Sequence, residues 1–317
     1  MVLPVVGVII GAALVGGSAE ALVRGGARLA LAFRVSSLIV GLTVVAYGTS
    51  APEAIVSVIA ALRGVSDLAI GNVLGSNIAN IGLIIGSAAL LSPLILEERT
   101  VRTDLPLVLV VSVGFVLLAI DGTIARWEGI LLLSGALTYT LWCIRSAYRE
   151  AQTAPPAPKV PGSRWIDVVL VAAGLVGLAA GAHLLVEGAT VIAKALGVSE
   201  LVIGVTIVAI GTSLPELAAS VVASYRQEAG LSVGNVIGSN LFNLMLVIGL
   251  AATITPIQVA AEALTWDAAP MLLMTLVLLW FAASGRRVSR REGIVLLLGF
   301  VTYLTVSALR QKLGWVA

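Results

Sequence analysis

The chain has 317 residues, of which 59% are hydrophobic and 11% charged, with a formal net charge of +2. Its mean hydropathy is +1.08. Soluble domains carry roughly a quarter charged residues, so this composition excludes a water-soluble globular protein. Apolar runs long enough to cross about 30 Å of hydrocarbon recur along the chain. In chain order they predict ten transmembrane helices, over about 3–23, 36–62, 68–92, 103–120, 127–146, 166–193, 199–224, 230–255, 268–284 and 292–309. A β-barrel needs short alternating segments, and runs such as 168–182 do not alternate. The fold class is therefore an all-α integral membrane protein.

Between the fifth and sixth runs, residues 149–165 include Pro155, Pro156, Pro158 and Pro161 and read as a linker rather than a helix. The linker divides the chain into a first repeat of five helices, 1–148, and a second, 166–317. The halves correspond residue by residue. Ala46-Tyr47-Gly48-Thr49-Ser50-Ala51-Pro52-Glu53 recurs as Ala209-Ile210-Gly211-Thr212-Ser213-Leu214-Pro215-Glu216, 163 positions later. Gly71-Asn72-Val73-Leu74-Gly75-Ser76-Asn77-Ile78-Ala79-Asn80 recurs at the same offset as Gly234-Asn235-Val236-Ile237-Gly238-Ser239-Asn240-Leu241-Phe242-Asn243. Further matches include Gly41 with Gly204 and Asp104 with Asp267; Glu128 with Glu292 and Tyr139 with Tyr303 follow one residue later. Five spans per half is an odd number, so the two copies enter the membrane from opposite sides as an inverted repeat, a design of secondary transporters.

Each copy carries one carboxylate, Glu53 or Glu216, in apolar sequence with no cation close along the chain. A charge in that setting is costly and marks an ion pathway. Pro52 and Pro215 lack the N–H that would bond the carbonyl four residues earlier, so each breaks its helix and frees a backbone oxygen. Thr49, Ser50, Thr212 and Ser213 add hydroxyls. Asn72, Ser76 and Asn80, spaced by four, make a polar stripe on one helix face, as do Asn235, Ser239 and Asn243. Gly71, Gly75, Gly234 and Gly238 permit close helix approach. Oxygen donors without thiolate or imidazole suit hard cations such as Na⁺, Ca²⁺ or Mg²⁺, and a flexible carbonyl-rich set suits Ca²⁺ better than Mg²⁺. Pro kinks, Gly-x-x-x-Gly spacings and lone Ser or Asn residues are ordinarily packing features. Their joint duplication is what points to a site.

Glu20 with Arg24 and His183 with Glu187 are pairs four apart that read as structural or gating contacts, with proton relay through His183 as the alternative. The single cysteine, Cys143, reads as a packing residue. Fourteen of the nineteen Lys and Arg residues fall on one side if the N-terminus is outside, which predicts both termini outside and a cytoplasmic linker. No basic residue precedes the first apolar run, against a secretory leader. Trp127, Trp142, Trp165 and Trp266 sit at run ends, as an interfacial belt requires.

These residues resemble the cation/calcium exchanger superfamily and, within it, the prokaryotic sodium/calcium exchangers; the likeness covers nearly the whole chain. It implies that Glu53 and Glu216 bind both Ca²⁺ and Na⁺. It further implies that Thr49, Ser50, Ser76, Thr212, Ser213 and Ser239 supply oxygens, that Ala46 and Ala209 supply backbone carbonyls, and that Asn80 and Asn243 line the centre. The family exchanges about three Na⁺ for one Ca²⁺, with spans 1 and 6 sliding across a fixed core. Proton-coupled relatives usually carry Glu where this chain has Ser76-Asn77 and Ser239-Asn240, which argues against proton coupling. Potassium-dependent relatives carry Asp where this chain has Asn243, which argues against K⁺ dependence. The large cytosolic regulatory loop of animal exchangers is missing. The expectation is an electrogenic Na⁺/Ca²⁺ antiporter of the plasma membrane. It is not an enzyme, and it needs no cofactor, nucleic acid or obligatory protein partner beyond the lipid bilayer. H⁺/Ca²⁺ antiport, and behind it a passive cation channel, are the alternatives.

Overall fold

The structure, a computed structural model, describes residues 2–153, 164–196 and 209–312. It is all-helical apart from four two-residue strands. In chain order the elements are α1 (Val2–Phe33), α2 (Ser37–Thr49), α3 (Ala51–Leu62), α4 (Ser66–Leu91), β1 (Leu94–Ile95), α5 (Thr100–Ala119), β2 (Thr123–Ile124) and α6 (Arg126–Thr153). There follow α7 (Arg164–Ala195), α8 (Ala209–Thr212), α9 (Leu214–Tyr225), α10 (Ala229–Ile254), β3 (Ile257–Gln258), α11 (Ala261–Gly285), β4 (Arg287–Val288) and α12 (Arg290–Lys312). Among the described residues eight helices are long and apolar enough to cross a membrane, and the bent pair α2–α3 brings the number to nine. The run expected over 199–224 is described only from 209 onward, as α8 and α9. The matched Gly204 and the prolines of the linker lie outside the described residues.

Several boundaries differ from those expected; α11, for one, begins at Ala261 rather than near 268. The first helix does not end near 23 but continues to Phe33. Its polar end is accommodated by ion pairs: Glu20 meets both Arg24 and Arg226, and Arg28 Nε lies 2.9 Å from Asp167 Oδ1 on α7. The fifth helix runs to Thr153, so residues 149–153 of the expected linker are helical, with Thr153 Oγ1 bonded back to the Arg149 carbonyl at 3.2 Å.

α4 and α10 are the most enclosed helices and form the centre of the main core with Leu74, Ile78, Ile81, Val236, Leu241 and Phe242, all at most 1% exposed. α5, α6, α11 and α12 lie outside them and turn Val110, Leu117, Leu137, Leu273 and Leu298 outward, which a lipid environment satisfies. α1 and α7 pack along each other's length over a second, smaller core built on Ala19, Leu22 and Leu178. Their backbones touch: a Cβ on Gly11 would stand 2.8 Å from the Gly181 carbonyl oxygen, and one on Gly181 would stand 3.0 Å from the Gly11 carbonyl oxygen.

The four short strands make two antiparallel ribbons, β1 with β4 and β2 with β3, each joining a loop of the first half to a loop of the second. The matched Glu128 and Glu292 also have a structural role. Each carboxylate accepts the N–H three residues earlier, of Ala125 or Ser289, at 2.7 Å, closing a capping contact at the start of α6 and α12.

The glycines of the third and eighth spans behave unequally. A Cβ on Gly234 would stand 2.5 Å from the Leu38 carbonyl oxygen, and one on Gly238 would stand 2.8 Å from that of Leu42, so α2 and α10 meet through these positions. Gly71 and Gly75 meet nothing within 4 Å among the described residues. Residues 201–208, which correspond to 38–45 by the common offset, lie outside the described residues. Gly234→Ala should therefore lower thermal stability in detergent by about 1–3 kcal/mol through overpacking. Gly114→Ala, whose Cβ meets nothing within 4 Å, should be neutral or stabilising. Equal unfolding midpoints for the two variants would contradict the close approach.

Candidate ion-binding site

The site is built where two helices break. α2 ends at Thr49, the chain turns at Ser50, and α3 leaves at 44° to α2. Ser50 has φ −82° and ψ 1°; Ser213, between α8 and α9, has φ −88° and ψ 8°, so both breaks share one backbone conformation. Pro52 and Pro215 stand in the first turns of α3 and α9, where a missing N–H costs nothing to the new helix. Glu53 and Glu216 follow in the same first turns, at the positive end of each helix dipole.

Both carboxylates are 1% exposed. Glu216 Oε1 accepts a hydrogen bond from Ser50 Oγ at 3.2 Å, while Glu216 Oε2 and both oxygens of Glu53 have no hydrogen-bond partner among the described residues. Within the repeated motifs three other buried oxygens are also without a hydrogen-bond partner among the described residues: Asn80 Oδ1, Asn243 Oδ1 and Ser239 Oγ. Each atom in this group is an acceptor that would cost several kcal/mol if left bare in a dry interior. No cluster of three His, Cys, Asp or Glu side chains that could hold a metal occurs among the described residues. The donor set is thus two carboxylates plus neutral oxygens, which matches a hard cation rather than a thiophilic one.

Each half's motif contacts the other's. Ser50 reaches Glu216, Thr49 Oγ1 donates to Asn235 Oδ1 at 3.1 Å, and Ser213 Oγ lies 3.4 Å from Ser76 Oγ. Thr49 Oγ1 also lies 3.1 Å from the Val45 carbonyl. The Ala46 carbonyl accepts the Ser50 N–H at 3.0 Å, which leaves it one lone pair. Of the expected site residues, Thr49, Ser50, Ser76, Ser213, Ser239, Asn80 and Asn243 are buried with the two glutamates, and Thr212 is half-buried. Ala209 opens α8.

The polar stripe reaches three different neighbours. Asn72 contacts α3, Ser76 meets Ser213, and Asn80 meets Asn240. Asn72 Nδ2 donates to the Glu53 carbonyl at 3.3 Å and to Ser57 Oγ at 2.9 Å. Asn235 Nδ2 donates to the Glu216 carbonyl at 3.3 Å and to Ser220 Oγ at 2.9 Å. Ser57 and Ser220 escaped the sequence reading. They are separated by the common offset of 163 and follow each glutamate by one helical turn, a signal that would have found them. Asn80 and Asn243 each begin a π-helical turn, over Asn80–Ile85 and Asn243–Val247, a widening of the helix frequent at functional sites.

Other residues lie apart. His183 and Glu187 pair at 3.6 Å on the exposed face of α7, and Cys143 is buried beside Arg99.

The sodium/calcium exchanger protein family model matches residues 3–145 and 166–309. CaxA of Alkalimonas amylolytica, provisionally named an antiporter, is 40% identical over 96% of this chain and 98% of its own length. The sodium/calcium exchanger MaX1 of Methanosarcina acetivorans is 31% identical over 90% and 92% respectively. A solved structure of the sodium-calcium exchanger NCX_Mj superposes with a TM-score of 0.85 at 32% identity, covering 96% of this chain and 98% of that one. In both halves, in sequence and in three-dimensional structure, the chain belongs to the sodium/calcium exchanger family of membrane transporters.

Proposed function

We propose that the protein exchanges Na⁺ for Ca²⁺ across the membrane by alternating access, with Glu53 and Glu216 as the ligands both ions share. The observation that carries this reading is the group of six buried, unpartnered oxygens on Glu53, Glu216, Asn80, Asn243 and Ser239. Thr49, Ser50, Ser76, Thr212, Ser213 and the carbonyls of Ala46 and Ala209 complete the set. In this reading the halves, 1–148 and 166–317, are inverted repeats of five helices joined by a cytoplasmic linker over 149–165. Both termini lie outside the plasma membrane. The matched Asn72 and Asn235 contacts and the near-identical breaks at Ser50 and Ser213 support such an internal two-fold relation.

Two ionised carboxylates give the site a charge of −2. One Ca²⁺ neutralises it, whereas three Na⁺ leave +1. That difference makes the cycle voltage-sensitive by roughly 2.3 kcal/mol per charge per 100 mV. An empty site keeps two unshielded carboxylates and resists enclosure, which couples the two fluxes instead of letting either ion leak. MaX1 and NCX_Mj, which carry the sodium/calcium exchanger name, favour Na⁺ as the counter-ion.

In proteoliposomes, ⁴⁵Ca²⁺ uptake should require an outward Na⁺ gradient and should be absent with K⁺ inside or with a pH gradient alone. Uptake driven by the pH gradient would replace Na⁺ by H⁺ as the coupling ion. Under an outward Na⁺ gradient, an inside-positive potential imposed with valinomycin should speed Ca²⁺ uptake, since that direction of exchange exports positive charge; a rate independent of potential would mean electroneutral exchange.

Glu53→Gln and Glu216→Gln should each abolish Ca²⁺ exchange. Because each removes a buried charge with little compensation, the ion-free variants should unfold at or above the wild-type temperature while losing Ca²⁺-dependent stabilisation. Exchange surviving in either variant would overturn the ligand assignment.

A further inference from the structure

Four asparagines cross the middle of the molecule, and two of them have no role in the ligand set. Asn77 and Asn240 stand one helical turn before the π-helical turns, and they are 1% and 2% exposed. Asn243 Nδ2 donates to Asn77 Oδ1 at 3.0 Å, and Asn80 Nδ2 donates to Asn240 Oδ1 at 3.0 Å. Each bond joins one half of the chain to the other. Asn77 is itself fixed, its Nδ2 donating to the Asn240 main-chain carbonyl at 3.3 Å with Met271 Sδ 3.7 Å away. With both amide nitrogens engaged, the carbonyl oxygens of Asn80 and Asn243 remain the unpartnered ends. The turn that begins at Asn243 packs against α3, which opens on Glu53, and the turn that begins at Asn80 packs against α9, which opens on Glu216.

An amide has two nearly isosteric orientations with opposite consequences for a cation. With the observed bonds, its oxygen is free to join the carboxylates. Reversed, its oxygen would face the Asn77 or Asn240 oxygen across a hydrogen-bond distance, and its NH₂ group would turn toward the carboxylate end. There it would donate to Glu53 or Glu216 and compete with the ion. What opposes the reversal is the acceptor supplied by Asn77 or Asn240.

We propose that Asn77 and Asn240 are positioning residues that hold Asn243 and Asn80 with their carbonyl oxygens turned to the cation. The inference rests on the Na⁺/Ca²⁺ reading of the site and adds the element that keeps its neutral ligands oxygen-facing. The dependence is greatest at Asn243, because a carboxylate there would present oxygen in either orientation and would need no such partner.

The test is a double-mutant cycle on the purified full-length protein, with Ca²⁺ alone as the probe and calorimetric titration as the readout. Asn77→Ala should weaken Ca²⁺ binding by about 10-fold, the usual scale for losing a group that orients a ligand. In an Asn243→Asp background the same change should cost only about 2-fold, because coupled residues are non-additive. A merely structural role for Asn77 would give the same factor in both backgrounds, and that result, or undiminished binding in Asn77→Ala, overturns the proposal. Should Asn77→Ala fail to fold by its thermal transition, Asn240→Ala in wild-type and Asn80→Asp backgrounds makes the mirror test with the same two outcomes. Glu53→Gln run alongside separates the two levels: wild-type Ca²⁺ affinity in that variant refutes the site itself, whereas its loss with an unchanged Asn77→Ala refutes only the positioning role.

Discussion

The structure depends on two carboxylates buried in a helical bundle with almost nothing among the described residues to neutralise them. Among the described residues neither Glu53 nor Glu216 forms an ion pair, and one hydroxyl, Ser50 Oγ, bonds to a single oxygen of the pair. Two helix N-termini supply fixed positive potential, and a helix dipole contributes at most about 2 kcal/mol in partly buried geometries. That is far below the cost of burying two ions of like sign. In the proposed exchange, a transported cation closes the deficit. The breaks at Ser50 and Ser213 exist so that each glutamate can sit in the first turn of a new helix rather than in the middle of an old one.

Other buried or half-buried charges are treated in the opposite way. Asp104 is met by Arg99 at 3.4 Å and by Tyr139, and Asp267 accepts from Tyr303 at 2.8 Å. Arg99 stacks 4.3 Å over Trp142, and Arg310 stacks 4.3 Å over Trp266. The aspartates and tyrosines are matched between the halves, but the arginines and tryptophans come from different places in each. Similar clusters were assembled from unlike sequence, which suits a role in pinning the outer helices. The contrast sharpens the reading of the glutamates: where this protein buries a carboxylate for structure, it brings donors or a guanidinium to it.

Much of the site was legible in sequence because a carboxylate in apolar surroundings, repeated at a fixed offset, has few structural explanations. The helices were legible as apolar runs, yet their ends were not. α1 outruns its apolar stretch because Glu20 and Arg28 find partners, Arg226 just past α9 and Asp167 on α7, far away in sequence. α6 runs past its apolar stretch into residues whose composition suggested a linker. The helical stripe of Asn72, Ser76 and Asn80 was foreseen, but not that its members serve three different neighbours, since that depends on how the halves interlock. Periodicity also could not reveal that Asn77, off the stripe, reaches across to Asn243. Nor could it reveal that the helices widen into π turns at Asn80 and Asn243.

The two ribbons have a mechanical consequence. Each is only two residues long, yet each joins backbone of one half to backbone of the other, at the ends of α4, α5 and α6 on one side and α10, α11 and α12 on the other. These six helices are stapled into a frame, and separating them means breaking main-chain hydrogen bonds at the loops. The segments that open each half, α1 to α3 and α7 to α9, carry no such staple among the described residues. In the proposed exchange the change of shape falls there, where α1 and α7 bring glycine backbone against glycine backbone. The protein is in this sense a rigid window with a narrow sash, and the bent helices that carry the glutamates lie along its edge.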